Sequence, residues 1–312
     1  MKGIKALFVI LIIYSAAQAQ DSTMLKLQQH GKTILSRQPD SLRLEAQVSF
    51  RLELDSLLSS TQDTLLPLDS LKNLSVLYTP DSSVRVITWL FPFSNGAYSF
   101  YGYLHYFNPT DSSWNLLSLK DRHKEIKEPT ARQLDTKNWY GALYYDIIVK
   151  DSLINLLGWN GYHNQKNEKI IEVLWFDEEG QPRFGKRVFP EYRSGFQDSV
   201  RRVIFQYAND ASMSLRYSNV LRQVLEPNEN RMAGGMKRVK IRQDLIVFNK
   251  LDPIQPMFEG DFRYYVPLTE TLQGFYFENG KWLFQDEVII LSEQAPVTGE
   301  GSGEINLFPS GK

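Results

Sequence analysis

Strand signals that follow one another at short range constrain this chain most. Between Ser152 and Phe189 stand three apolar, β-branched-rich runs: Ser152 to Trp159, Lys169 to Phe176 and Pro182 to Phe189. The first stops at Asn160-Gly161, a pair that takes positive φ readily and predicts a two-residue hairpin turn. The second stops at Asp177-Glu178-Glu179-Gly180, where Gly180 supplies the left-handed residue of a longer hairpin. Connections this short leave no room for the crossover helices that parallel strands require, so antiparallel pairing is expected.

The same texture runs outward from this hub. Leu74 to Tyr78, Val84 to Trp89, Ala97 to Phe107, Ser113 to Leu119 and Tyr140 to Val149 precede it; Arg201 to Tyr207, Ala211 to Tyr217, Leu245 to Phe248, Phe262 to Val266, Gly274 to Phe277 and Lys281 to Phe284 follow. Turn residues, such as Pro80-Asp81-Ser82 and Asn279-Gly280, separate several of these runs, while Ala131 to Trp139 reads as a loop or short helix. The expected fold class is therefore mainly β, an antiparallel meander forming a sandwich-like or barrel-like domain over residues 74–292. A β-propeller is the alternative, because Asp81 to Trp89, Asp151 to Trp159 and Asp198 to Tyr207 repeat a turn, a strand and a closing aromatic. Their spacing is unequal, however, whereas stacked blades keep a fixed period.

Residues 20–73 read as a helix-rich segment, Met24 to Leu35 and then Leu42 to Leu58. In the second stretch Leu42, Ala46, Phe50, Leu54, Leu57 and Leu58 fall on one helical face, the intervening residues are Arg, Glu and Gln, Pro39 precedes, and Asp40 or Ser41 can cap the start. The alternation of Leu42, Leu44, Ala46, Val48, Phe50, Leu52 and Leu54 keeps a long edge strand as the other reading. Residues 293–312, rich in Gly, Ser, Pro and Glu, are expected to form a flexible tail.

Residues 1–19 have the layout of an export signal. Lys2 and Lys5 precede the apolar stretch Ala6 to Tyr14, and Ala17-Gln18-Ala19 is a small-x-small cleavage site that would leave Gln20 as the mature start. The apolar stretch is shorter than the roughly 20 residues a membrane span needs, and no other stretch approaches that length, so no transmembrane segment is expected after cleavage. The protein is expected to be exported, to the periplasm, the cell surface or the medium. It has no cysteine, which excludes disulfides and thiolate chemistry and leaves the core alone to hold an exported fold. With 35 Lys and Arg against 36 Asp and Glu, the charge is too balanced for nucleic acid or anionic lipid to be a main partner.

Tyr78 to Trp89, Trp139 to Tyr145, Leu156 to Gly161, Ile171 to Asp177 and Arg202 to Tyr207 together resemble segments of an uncharacterised family of exported β-rich proteins from Gram-negative bacteria. The resemblance covers most of the mature chain and implies export. It implies no activity and no catalytic residue.

Candidate chemistry is sparse. His30, His105, His123 and His163 are scattered, and no metal-ligand spacing, Gly-x-Ser-x-Gly elbow or phosphate-cradling loop is present, so no metal and no cofactor are expected. Asp146 and Glu172 each sit in apolar strand surroundings that would raise a carboxyl pKa. If they lined one cleft they could act as acid and base or nucleophile on a glycoside, and otherwise each is a solvated or Arg-paired strand residue. Tyr101, Tyr103 and His105 share one strand face, either a stacking platform for sugar rings or one side of a doubly buried strand. Arg238, Lys240 and Arg242 alternate along another strand, as contacts for an anionic glycan or as a charged edge that resists aggregation.

Asp-(Ser/Thr)-hydrophobic tripeptides at Ser41, Ser56, Thr64, Ser70, Ser152 and Ser199 resemble acceptor sites for periplasmic O-glycosylation, although Asp and Ser also serve as caps and turn residues. The expectation from sequence is thus a non-catalytic binding or structural component of the envelope whose partner is a glycan or another envelope protein, with an exported glycan hydrolase as the alternative.

Overall fold

The computed structural model describes residues 22–60, 66, 68–163, 165–191, 199–228 and 235–290. The export signal, Thr64 and the tail from residue 293 lie outside the described residues.

Two helices open the described chain, α1 (residues 22–34) and α2 (Asp40–Ser60). The 3.6-residue spacing prevails over the alternation in α2: Ala46, Phe50, Leu54, Leu57 and Leu58 are buried, whereas Leu42 is exposed. Asp40 bonds both within its own helix and beyond it. Its carboxylate accepts from the hydroxyl and the backbone N–H of Ser94 at 2.7 and 3.1 Å and from Arg43 Nη1 at 2.8 Å. These bonds, led by the one from the Ser94 hydroxyl, hold its pKa below the usual carboxylate value. Arg43 in turn donates to the carbonyls of Ile34 and Pro92, fastening α1, α2 and the sheet beneath them together.

Three antiparallel sheets follow, each built from neighbouring stretches of chain. The first comprises β1 (Ser75–Tyr78), β2 (Val84–Pro92), β3 (Tyr98–Asn108) and β4 (Ser113–Lys120) in that order. The second contains β5 (Leu143–Lys150), β6 (Leu153–His163), β7 (Lys166–Phe176), β8 (Pro182–Phe184) and, after a small ribbon of β9 (Phe189–Pro190) with β10 (Ser199–Val200), β11 (Val203–Ala208); its order is β11-β7-β6-β5, with β8 paired to β7. The third is β12 (Leu215–Asn228), β13 (Gly235–Pro253), β14 (Tyr265–Glu278) and β15 (Lys281–Gln285). Among the described residues none of these sheets closes into a barrel. The chain divides into two compact units within β12 and β13: Ser218 and Asp244 belong to the larger, Asn219–Gln243 to the smaller.

Within the larger unit the layers share three cores. The helices pack Phe50, Leu54 and Leu57 on Ile87, Trp89, Phe91 and Tyr103 of the first sheet. The opposite face of that sheet, with Val84, Val86, Phe100, Leu104 and Tyr106, meets Leu156, Ile170 and Leu174 of the second. The far face of the second sheet, with Leu157, Ile171, Val173 and Phe205, meets Ile246, Phe248, Phe275 and Trp282. The first two sheets are thus covered on both faces, which explains why their strands read as continuous apolar runs rather than as a clean alternation. β3 thus lies between two layers over most of its length, with Tyr101 only partly buried.

The hub differs from expectation at its first turn. Asn160-Gly161 is not a hairpin turn; β6 runs through it to His163, with a bulge between Asn160 and His163. Asn160 is buried and donates its side-chain N–H to the Gly141 carbonyl at 2.7 Å. Gly161 is required for a different reason: a Cβ there would lie 2.3 Å from the ring of Trp159. Turn-forming residues have here been used for a long-range hydrogen bond and a close ring approach.

A groove between helix and sheet

The register of the first sheet sets out an aromatic row. Trp89 of β2 lies opposite Tyr101 of β3, which lies opposite Lys120 of β4; one step along, Ile87, Tyr103 and Ser118 are aligned. Residues paired across strands share a face, so these side chains all turn toward the helices. Trp89 stacks on Tyr101 at 5.6 Å and on Tyr103 at 5.8 Å between ring centroids.

α2 crosses this row with a polar stripe at four-residue spacing, Gln47, Arg51 and Asp55, which a helix places one above another. Gln47 accepts from the Trp89 indole at 3.2 Å. Burial, helped by the neighbouring Asp55 carboxylate that accepts its hydrogen bond, raises the Tyr103 hydroxyl pKa, and burial raises that of Tyr101; the Arg51 charge opposes the rise at both. Both tyrosines are therefore neutral at physiological pH.

The other wall is the segment after β4. Asp121 Oδ2 accepts from the Phe100 backbone at 3.3 Å, and its Oδ1 accepts from the His123 backbone at 3.1 Å and stands 2.6 Å from His123 Nδ1. Gly141, at φ +49°, lets the Asp121 carboxylate approach where any Cβ would collide. Arg122 is held by Glu125 at 2.6 Å, and Lys137 reaches the groove from a 3-10 turn, Thr136–Asn138, capped by Asp135.

The result is a groove of about 550 Å³ whose floor is Trp89, Tyr101 and Tyr103 and whose rim carries Arg51, Lys120 and Lys137. Both carboxylates that line it, Asp121 and Glu125, are engaged by His123 and Arg122. Arg51, Lys120 and Lys137 have no ion-pair partner among the described residues. The groove therefore presents the partly exposed Tyr101 ring, backed by the buried Trp89 and Tyr103, under a net positive rim, which suits a ring-bearing anion. Its volume lies within the range of small-ligand sites.

The sequence candidates distribute unevenly around it. Tyr101 and Tyr103 lie in the groove, but His105 does not. Its ring is buried, with Nδ1 3.1 Å from Arg85 Nη2 and the ring 4.8 Å from Trp114. Burial first, and Arg85 second, pull its pKa down to about 4.

Asp146 and Glu172 do not meet. Asp146 pairs with Leu157, whereas Glu172 pairs with Leu156, so the two carboxylates emerge on opposite faces of the second sheet. Burial does raise both pKa values. Glu172, however, is fully enclosed and bound to Arg202 Nε at 2.7 Å, out of reach of substrate or water. The proposed acid–base pair fails because a one-residue offset in register moves a side chain to the other face.

Arg238, Lys240 and Arg242 are exposed on β13 in the smaller unit, with Arg242 donating to Asn219 at 3.4 Å. Ser41, Ser56, Ser70, Ser152 and Ser199 are all exposed. Among the described residues no three His, Asp or Glu side chains group as metal ligands, and no helix is long and apolar enough to cross a membrane.

Sequence reasoning missed Arg51, Lys120, Lys137 and the Asp121–His123 pair. The stripe of Gln47, Arg51 and Asp55 was readable once α2 was accepted as a helix, but which strands it would face was not. No protein-family model, curated protein or solved structure matches this chain.

Proposed function

We propose that this chain is an exported, non-catalytic binding component of the cell envelope and that its groove seats an anionic glycan. The basic start, apolar stretch and small-residue site of residues 1–19 support export. One observation carries the binding reading: Tyr101, backed by Trp89, shares a groove with Arg51, Lys120 and Lys137. A pyranose ring offers an apolar face to an aromatic side chain, and a carboxylate, sulfate or phosphate on it accepts charge-assisted hydrogen bonds from the rim. The hydrolase alternative loses its basis, since the carboxylates it needs stand on opposite faces of a sheet.

The test is to present the mature protein, beginning at Gln20, to an array of acidic and neutral oligosaccharides. Acidic members should be retained over neutral ones, and Tyr101→Ala should lose them. An array on which nothing is retained, or on which neutral sugars bind equally and Tyr101→Ala changes nothing, rejects the reading.

A further inference from the structure

A second cavity lies beside the groove, and the two share a wall. It holds about 390 Å³, within the range of small-ligand sites. Glu125 lines both cavities. The 3-10 turn Thr136–Asn138 also stands between them, with Lys137 lining the groove and Asn138 the second cavity.

The far wall is built by backbone pairing. Leu134 and Phe184 exchange hydrogen bonds at 2.8 and 2.9 Å, which sets the segment carrying Arg132 and Gln133 against the one carrying Arg183. The Arg201 backbone N–H donates to the Thr130 carbonyl at 2.8 Å, and the buried Arg202 side chain donates to the carbonyls of Pro129 and Arg132. A wall held in this way needs little ordering when a ligand arrives.

The charges around the cavity do not cancel. Three cations line it, Lys127, Arg132 and Arg183, against two carboxylates, Glu125 and Asp135. Glu125 is held by Arg122 at 2.6 Å and Arg183 by Asp177 at 2.8 Å. Asp135 turns Oδ1 to the 3-10 turn, accepting from the backbone N–H groups of Lys137 and Asn138 at 3.0 and 2.8 Å. Lys127 and Arg132 are exposed and have no ion-pair partner among the described residues. Behind them Arg201 donates to Gln133 Oε1 at 3.2 Å, a neutral acceptor, and its pKa is lowered by burial and then by the like charges of Arg187 and Arg202. Cations gathered around neutral acceptors favour an anion.

We infer that the groove and this cavity form one extended site, whose ligand is an acidic oligosaccharide with anionic groups on sugars seated in both. The inference rests on the glycan reading of the groove and adds a chain length to it. One anionic group meets Arg51, Lys120 and Lys137 beside Tyr101, and a second, further along the same chain, meets Lys127 and Arg132. The Glu125 carboxylate between them is neutralised by Arg122, so the chain crosses no net negative charge. Once the first group is seated the second binds intramolecularly, so affinity rises with chain length.

Calorimetry with heparin-derived di-, tetra- and hexasaccharides tests this, since these chains carry sulfate and carboxylate groups on successive sugars. The hexasaccharide should bind the mature protein about tenfold or more tightly than the disaccharide. Lys127→Gln/Arg132→Gln should remove most of that gain and leave disaccharide affinity unchanged. Lys127→Glu, a single change at an exposed side chain, should act in the same direction, whereas Tyr101→Ala should weaken every length. Urea midpoints of the Lys127 and Arg132 variants should match wild type.

Affinity that does not grow with length in the wild type, or growth retained in both cavity variants, overturns the inference and leaves the groove reading standing. If no length binds, or if Tyr101→Ala changes nothing, the groove reading itself falls and takes the inference with it.

Discussion

Removing either member of the Arg202–Glu172 pair should destabilise the fold strongly, and removing both should not. The two side chains are fully buried, with Nε and Oε2 2.7 Å apart; Glu172 also accepts from the Val173 backbone at 3.0 Å. Arg202 Nη1 donates to the carbonyls of Pro129 and Arg132, so the pair anchors the segment that supplies the second wall of the groove. Arg202→Met leaves a carboxylate without its countercharge among Leu156, Ile170 and Leu174, at a cost of about 3–5 kcal/mol. Glu172→Leu strands the guanidinium and should cost a similar amount. In the double variant Arg202→Met/Glu172→Leu no buried charge remains, and at least half of either single loss should be recovered.

Urea unfolding at pH 7 measures all four species. A pH signature accompanies Arg202→Met. Burial already raises the Glu172 pKa against the pull of Arg202, so without Arg202 the folded state holds the proton more tightly than the unfolded chain. Stability of that variant should therefore rise relative to wild type as pH falls from 7 toward 5. Single variants within about 1 kcal/mol of wild type, or a double variant equal to the sum of the singles, would refute the reasoning.

His105 gives a second pH dependence of known sign. Its pKa is about 4 in the fold against an ordinary 6.5, so neutral His105 contributes up to about 3 kcal/mol that is fully present above pH 6.5 and lost as pH falls through 4. Urea midpoints from pH 7 to pH 4 should fall more steeply for wild type than for His105→Gln; parallel profiles would contradict this. Gly161→Ala should lower the melting temperature sharply, because its Cβ would stand 2.3 Å from the Trp159 ring, and Trp159→Ala in the same chain should relieve part of the loss. A Gly161→Ala protein as stable as wild type would contradict that packing.

How much of this was legible in sequence depends on the range of the contacts involved. The antiparallel sheets were legible because strand runs and their short connections are local, and α2 was legible because Ala46, Phe50, Leu54 and Leu57 keep helical spacing. The Asn160-Gly161 turn was misread because Asn160 serves Gly141 and Gly161 serves Trp159, contacts that local turn statistics do not contain.

Asp146 and Glu172 each had the right apolar surroundings, but their relative facing depends on two hairpin registers and a bulge between Tyr144 and Asp146. The groove was half legible. Alternation in β3 put Tyr101 and Tyr103 on one face, while Arg51, Lys120 and Lys137 come from a helix, a strand end and a 3-10 turn that only the tertiary fold assembles. His105 shares that alternation, yet its place opposite buried Arg85 removes it from the site.

The most direct measurement of the binding reading is a calorimetric titration of the mature protein with the acidic oligosaccharide it retains best, repeated on variants of the groove and of β13. Tyr101→Ala and Lys120→Glu should each weaken binding by about tenfold or more, the equivalent of roughly 1.4 kcal/mol, while Lys240→Glu should leave it unchanged. Full affinity in both groove variants, with binding lost in Lys240→Glu, would contradict the account and move the ligand to the basic stripe of β13.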